Sequence, residues 1–115
     1  MNKKVMGNVG EKKAATKLAE DGYTIITQNY RSKYGEIDII ALKDDTIAFV
    51  EVKVFNSLDK GNLEYMINAR KKRHIVNTAQ YYLMNNEHFR EKHKRFDVIL
   101  FQNNFTHFQH LKNAF

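Results

Sequence analysis

Gly35-Glu36-Ile37-Asp38-Ile39-Ile40-Ala41-Leu42-Lys43-Asp44-Asp45-Thr46-Ile47-Ala48-Phe49-Val50-Glu51-Val52-Lys53 consists of two runs rich in β-branched residues joined at a pair of aspartates. Such runs on either side of polar turn residues read as strands, here Glu36 to Leu42 and Thr46 to Phe55. With Asp44-Asp45 at the centre of the turn, antiparallel partners have numbers summing to 89, so Asp38 faces Glu51 and Glu36 faces Lys53. Directly opposed residues share a face with Cβ atoms about 4.5 to 5.5 Å apart. Glu36, Asp38, Glu51 and Lys53 therefore cluster on one side, while Ile37, Ile39, Val50 and Val52 supply core on the other. Nearer the turn the acidic face also becomes apolar, through Ile40, Leu42, Ile47 and Phe49, as in a central hairpin covered on both faces. A three-residue loop would shift this register, and Asp-Asp lacks the glycine that two-residue hairpins favour.

Opposed like charges on a half-buried sheet are unfavourable unless something positive lies between them. A divalent cation meets that need, and Mg²⁺ takes one or two carboxylates together with phosphate oxygens. Lys53 would then hold the attacking water or stabilise charge on a phosphate. A structural ion-pair cluster of the same residues fits the spacing as well.

Upstream, Ala14, Ala15, Leu18 and Ala19 fall at helical spacing from about Val9 to Asp21, and Asp21-Gly22 stops the run. Tyr23 to Gln28 reads as a strand. Downstream, Asn56 to Asn62 reads as a loop. Asn68 is the N-cap of a second helix reaching about Leu83, with an apolar stripe of Val76, Ala79 and Leu83 and with Ile75 and Tyr82 beside it. Phe96 to Phe101 and Phe105 to His110 are further strands. Helix, three strands, helix, then one or two strands is an α/β order that implies a mixed sheet with helices against it.

The 115 residues, 43% of them hydrophobic, form one domain, and the absence of cysteine excludes disulfides, thiolate nucleophiles and Cys-bound zinc. Lys and Arg outnumber Asp and Glu by 19 to 13, which attracts polyanions. The excess is uneven: residues 35–59 hold 6 acids and 2 bases, whereas residues 60–95 hold 9 bases and 3 acids. A plain polyanion-binding module would not concentrate acids in its middle, so chemistry is sought there. Arg70, Lys71, Lys72 and Arg73 open the second helix, where cations oppose the helix dipole unless a phosphate backbone lies against them. Lys71 is the first choice for a DNA contact, and a solvated basic turn is the plainer alternative. The first ten residues lack the apolar run of a signal peptide and no stretch approaches a membrane span, so the expectation is a cytoplasmic protein with no membrane partner.

Gly35-Glu36-Ile37-Asp38-Ile39-Ile40-Ala41 followed by Phe49-Val50-Glu51-Val52-Lys53 resembles the signature of the YraN family of small bacterial proteins. Gly7-Asn8-Val9-Gly10-Glu11, Asn29-Tyr30-Arg31, Arg70-Lys71-Lys72-Arg73, Arg95-Phe96-Asp97-Val98 and the closing Asn113-Ala114-Phe115 continue that pattern in order. The resemblance implies membership of the PD-(D/E)XK nuclease superfamily, close to archaeal Holliday-junction resolvases, with a restriction-endonuclease-like αβββαβ core and a Mg²⁺- or Mn²⁺-dependent phosphodiesterase site. By matching position, it makes Asp38, Glu51 and Glu11 the metal-binding acids and Lys53 the catalytic lysine; Glu36 matches the family's Gly-Glu. Ile37 stands where the superfamily's name has Pro, and Val54-Phe55 replaces the Thr-Arg that commonly follows the lysine. The resolvase likeness also implies branched or structured DNA as substrate and a homodimer; a further reading is a subunit active only within a repair, recombination or DNA-uptake assembly. The alternative is a nucleic-acid-binding protein or assembly subunit with this fold and no intrinsic turnover.

His107-x-x-His110 would point to opposite faces of a strand, which argues against a metal pair. No Gly-rich phosphate loop, zinc motif or Ser-His-Asp order is present.

Overall fold

The structure, a computed structural model, describes residues 2–55, 67–102 and 104–115. Helix α1 (Lys3–Glu20) leads into three antiparallel strands, β1 (Thr24–Ser32), β2 (Gly35–Lys43) and β3 (Thr46–Phe55). Helix α2 (Ala69–Met84) and a short 3₁₀ turn (Glu87–Phe89) precede β4 (His93–Gln102) and β5 (His107–Leu111). The sheet order is β1-β2-β3-β4-β5, with β3 and β4 parallel and the other neighbours antiparallel. A parallel neighbour needs a long crossover, and α2 lies within the one that links β3 to β4. The result is an α/β fold with a mixed sheet and a helix on each face, compatible with a restriction-endonuclease-like core. The expected loop Asn56 to Asn62 lies outside the described residues. No helix among the described residues is long and apolar enough to cross a membrane.

Helix α1 begins six residues earlier than its apolar spacing suggested, because Asn2 caps it by accepting the Val5 N–H at 2.8 Å. Its buried stripe is Gly10, Ala14 and Leu18, small residues at i, i+4 and i+8 that let the helix lie close on the sheet. A Cβ on Gly10 would stand 2.4 Å from Val54 Cγ2. This face of the sheet presents Ile39, Ala41, Ala48, Val50, Ile99 and Phe101. The opposite face, with Ile37, Ile40, Ile47 and Phe49, packs on α2.

Asn68 caps α2 as expected, accepting the Lys71 N–H at 2.9 Å. The buried stripe, however, is Ile75, Thr78, Ala79 and Tyr82, turned away from the predicted Val76 and Leu83. Thr78 can be buried because its hydroxyl donates to the His74 carbonyl at 2.7 Å.

The two-residue turn at Asp44-Asp45 and the register summing to 89 are both observed, from Ile39↔Val50 to Lys43↔Thr46. Asp44 takes the left-handed backbone, φ 54°, in place of a glycine, a conformation that aspartate tolerates better than most residues. Beyond Ile39 the pattern changes. The ladder to β3 stops, and Asp38 uses its side chain instead, accepting the Val52 N–H on Oδ2 at 2.8 Å. Ile37 packs with the α2-facing cluster although Ile39 packs on the α1 side, contrary to the shared face expected of them. Strict alternation is interrupted at Asp38, across from Asn29, whose φ of 55° is also left-handed.

Candidate functional site

The interruption aims the acids. Glu36 and Asp38 come from β2, Glu11 from the middle of α1, and one carboxylate oxygen of each lies within 4.8 Å of the others. Asn29, on the adjoining strand, ties two of them together. With its amide oriented to donate, its nitrogen lies 2.8 Å from Glu11 Oε1 and 3.3 Å from Glu36 Oε1. Arg31 reaches Glu36 Oε2 at 3.5 Å from the exposed side.

Glu51 adjoins this trio through Asp38, whose side chain it meets. Its side chain is only 5% exposed, and its partner is Lys71 of α2, Nζ to Oε2 3.7 Å. Of the acidic face expected for Glu36, Asp38, Glu51 and Lys53, the three acids line one cleft, where Glu11 of α1 joins Glu36 and Asp38 and Lys71 of α2 pairs with Glu51, while Lys53 lines the adjoining one. Asp38 is the carboxylate that meets both Glu11 and Glu51. Burial and then the Asp38 charge push Glu51 up to about 8, with Lys71 and Lys53 pulling the other way. Burial and the Asp38 charge likewise raise Glu11 to about 7, assisted by Glu36. Carboxyl groups crowded enough to hold protons near neutrality are poised to exchange them for a cation.

A cleft of about 320 Å³ opens over these groups, lined by Glu11, Glu36, Asp38 and Glu51 and, on the helix side, by Lys3 and Lys4. Lys53 lines an adjoining cleft. Of the predicted basic cluster, Arg70 and Arg73 are exposed, Lys72 Nζ sits 6.0 Å from the centre of the Phe115 ring, and Lys71 faces the acids. The donor set suits a hard cation: oxygen ligands from carboxylates, an open side, and no sulfur or imidazole. Glu11, Glu36 and Asp38 could hold it, with Glu51 beside them.

Composition and periodicity single out neither Lys3, Lys4 nor Asn29. An exposed asparagine with a left-handed backbone leaves no periodic signal, and Lys3 and Lys4 precede the predicted helix start. A second polar cluster was also missed. Asp97, fully buried on β4, accepts from Arg95 Nε and Nη2 at 2.9 Å each and from Asn113 N–H at 3.0 Å, and lies 2.8 Å from His110 Nε2. Arg95 also donates to the Tyr23 hydroxyl. This cluster ties the chain's last residues to the start of β1. It also occupies His110, which the sequence offered with His107 as an unconvincing metal pair.

A mixed α/β sheet whose strands fork around a carboxylate cleft with lysines at its mouth defines a class: a small acid-site α/β protein. Comparison with known proteins narrows it. Residues 10–101 match the family described as uncharacterised protein family UPF0102. The chain is 44% identical to a UPF0102 protein of Lachnoclostridium phytofermentans over all of its own length and 96% of that protein's. Similar relatives occur in Persephonella marina, 43% identical over 96% of this chain and 93% of the relative, and in Treponema pallidum, 41% identical over 97% and 93%. The chain belongs to the UPF0102, or YraN-like, family.

Proposed function

We propose that the protein is a Mg²⁺- or Mn²⁺-dependent DNA endonuclease of the PD-(D/E)XK superfamily, acting on branched or otherwise structured DNA. The observation that carries this reading is the convergence of Glu11, Glu36 and Asp38 within 4.8 Å at an open cleft. A divalent cation at such a site lowers the pKa of bound water and neutralises charge on a phosphate oxygen. Asp38 is the central ligand, since it adjoins Glu11 and Glu36 and also raises Glu51. Lys71 and Lys53 hold positive charge beside Glu51, and Lys53 orients the attacking water. Lys3 and Lys4 meet the incoming phosphates at the mouth of the cleft. Cleavage of both strands of a junction needs two such sites, which a homodimer would supply.

Labelled single-stranded, duplex, flap and four-way-junction DNA should be cut in Mn²⁺ by the wild type and not by Glu51→Gln. If neither protein cuts while both bind the DNA, the reading gives way to a binding or assembly role without turnover.

A further inference from the structure

The acid cleft continues past Val52. Lys3, Gly7 and Val52, which line it, also line a second cleft of about 440 Å³ walled by Met6, Lys53, Val54 and Phe55. The two clefts meet at a neck between the first turns of α1 and the end of β3.

Three features of this trough suit one ligand. Its floor is the part of β3 that runs on after pairing with β2 has ended at Val50, with no strand on that side among the described residues; the Val52 N–H there already donates to Asp38. Among the described residues two lysines line it and no acid does, so charge favours an anion. The third feature is Gly7. A glycine inside a helix weakens it relative to alanine, and at Gly10 packing explains the choice, because Val54 fills the space a Cβ would need. At Gly7, among the described residues, nothing lies within 4 Å of a Cβ position. Packing does not require glycine there. A side-chain-free helix surface at the neck is instead what close passage of a ligand backbone requires.

We propose that this trough seats the sugar-phosphate backbone of the strand leading away from the acid cleft, which crosses over Gly7 with a phosphate against Lys3. Its small-molecule size admits one strand rather than a duplex. Lysines recognise phosphate rather than base, so the subsite is indifferent to sequence. The inference rests on the nuclease reading and adds the path of the substrate strand.

Gly7→Gln, which puts a neutral side chain across the neck, tests it. Anisotropy with a short labelled single-stranded DNA in Ca²⁺ should show affinity reduced about tenfold, with helix content and Mn²⁺ affinity as in the wild type. Gly7→Ala, which places only a methyl on the same surface, should weaken binding too, by less than Gly7→Gln does. A folded Gly7→Gln that binds the oligonucleotide normally would overturn the proposal. Should Gly7→Gln not fold, Lys3→Gln decides the matter: its salt dependence should flatten by about 0.7 in log-log slope, and an unchanged slope removes the trough from the path. Failure of the nuclease reading looks different: the wild type itself would neither cut DNA nor bind Mn²⁺ through its acids.

Discussion

Asn29 is an exposed residue in an unfavourable backbone region, yet it donates to two carboxylates of the cleft. The left-handed conformation is tolerated by asparagine and better still by glycine. Asn29→Gly therefore removes the amide with little backbone cost. It should lower Mn²⁺ affinity about tenfold while leaving the melting temperature nearly unchanged; an unaltered affinity in calorimetry would show that Asn29 does not organise the acids. Proton linkage acts at the same scale. Glu11 near 7 and Glu51 near 8 lie above the ordinary glutamate value of 4.5, so between pH 4.5 and 8 the folded protein holds more protons than the unfolded chain. Stability of the metal-free protein should then fall as pH rises through that window, and Mn²⁺ affinity should rise with release of protons. Denaturant midpoints and calorimetry in two buffers of different ionisation enthalpy measure both, and a stability that increases toward pH 8 would contradict the assignment.

Among the elements, α1 depends most on its glycines. Gly10→Ala drives a methyl into Val54 and should cost about 1 to 3 kcal/mol by overpacking, read as a lower urea midpoint. An unchanged midpoint would mean that α1 shifts freely on the sheet. Sequence reading succeeded where hydrophobic period alone decides. The β2–β3 register and turn were legible because one slip would carry every apolar side chain to the wrong face. Alternation could not reveal the break at Asp38, which depends on a left-handed residue on the neighbouring strand. Of the acids the sequence singled out, Glu11, Glu36, Asp38 and Glu51 line one cleft. The pairing of Lys71 with Glu51 was not legible, because it depends on how α2 is rotated, and Thr78 rather than Val76 or Leu83 completes its buried face.

Across the whole molecule, the carboxylate cleft and the Asp97 cluster answer the problem of buried charge in opposite ways. In the cleft, acids repel one another and retain protons. Asp97 is pushed upward by burial, but hydrogen bonds from His110, Arg95 and Asn113 outweigh that and hold its pKa below the ordinary value. Its stabilisation is thus present above the unfolded aspartate pKa and is lost as pH falls through the folded one. Asp97→Ala would leave Arg95 and His110 without their buried partner and should cost about 3 to 5 kcal/mol in urea unfolding; a loss near zero would show that the cluster does not fasten the C-terminal residues. In the cleft, by contrast, Glu11, Glu36 and Asp38 converge within 4.8 Å, and that convergence is the basis of the functional reading. The most direct measurement is Mn²⁺ titration by calorimetry of the wild type and Asp38→Asn at pH 8. The account predicts binding with proton release in the wild type and a loss of at least about tenfold in affinity in the variant. Equal Mn²⁺ affinity in the two proteins would contradict it.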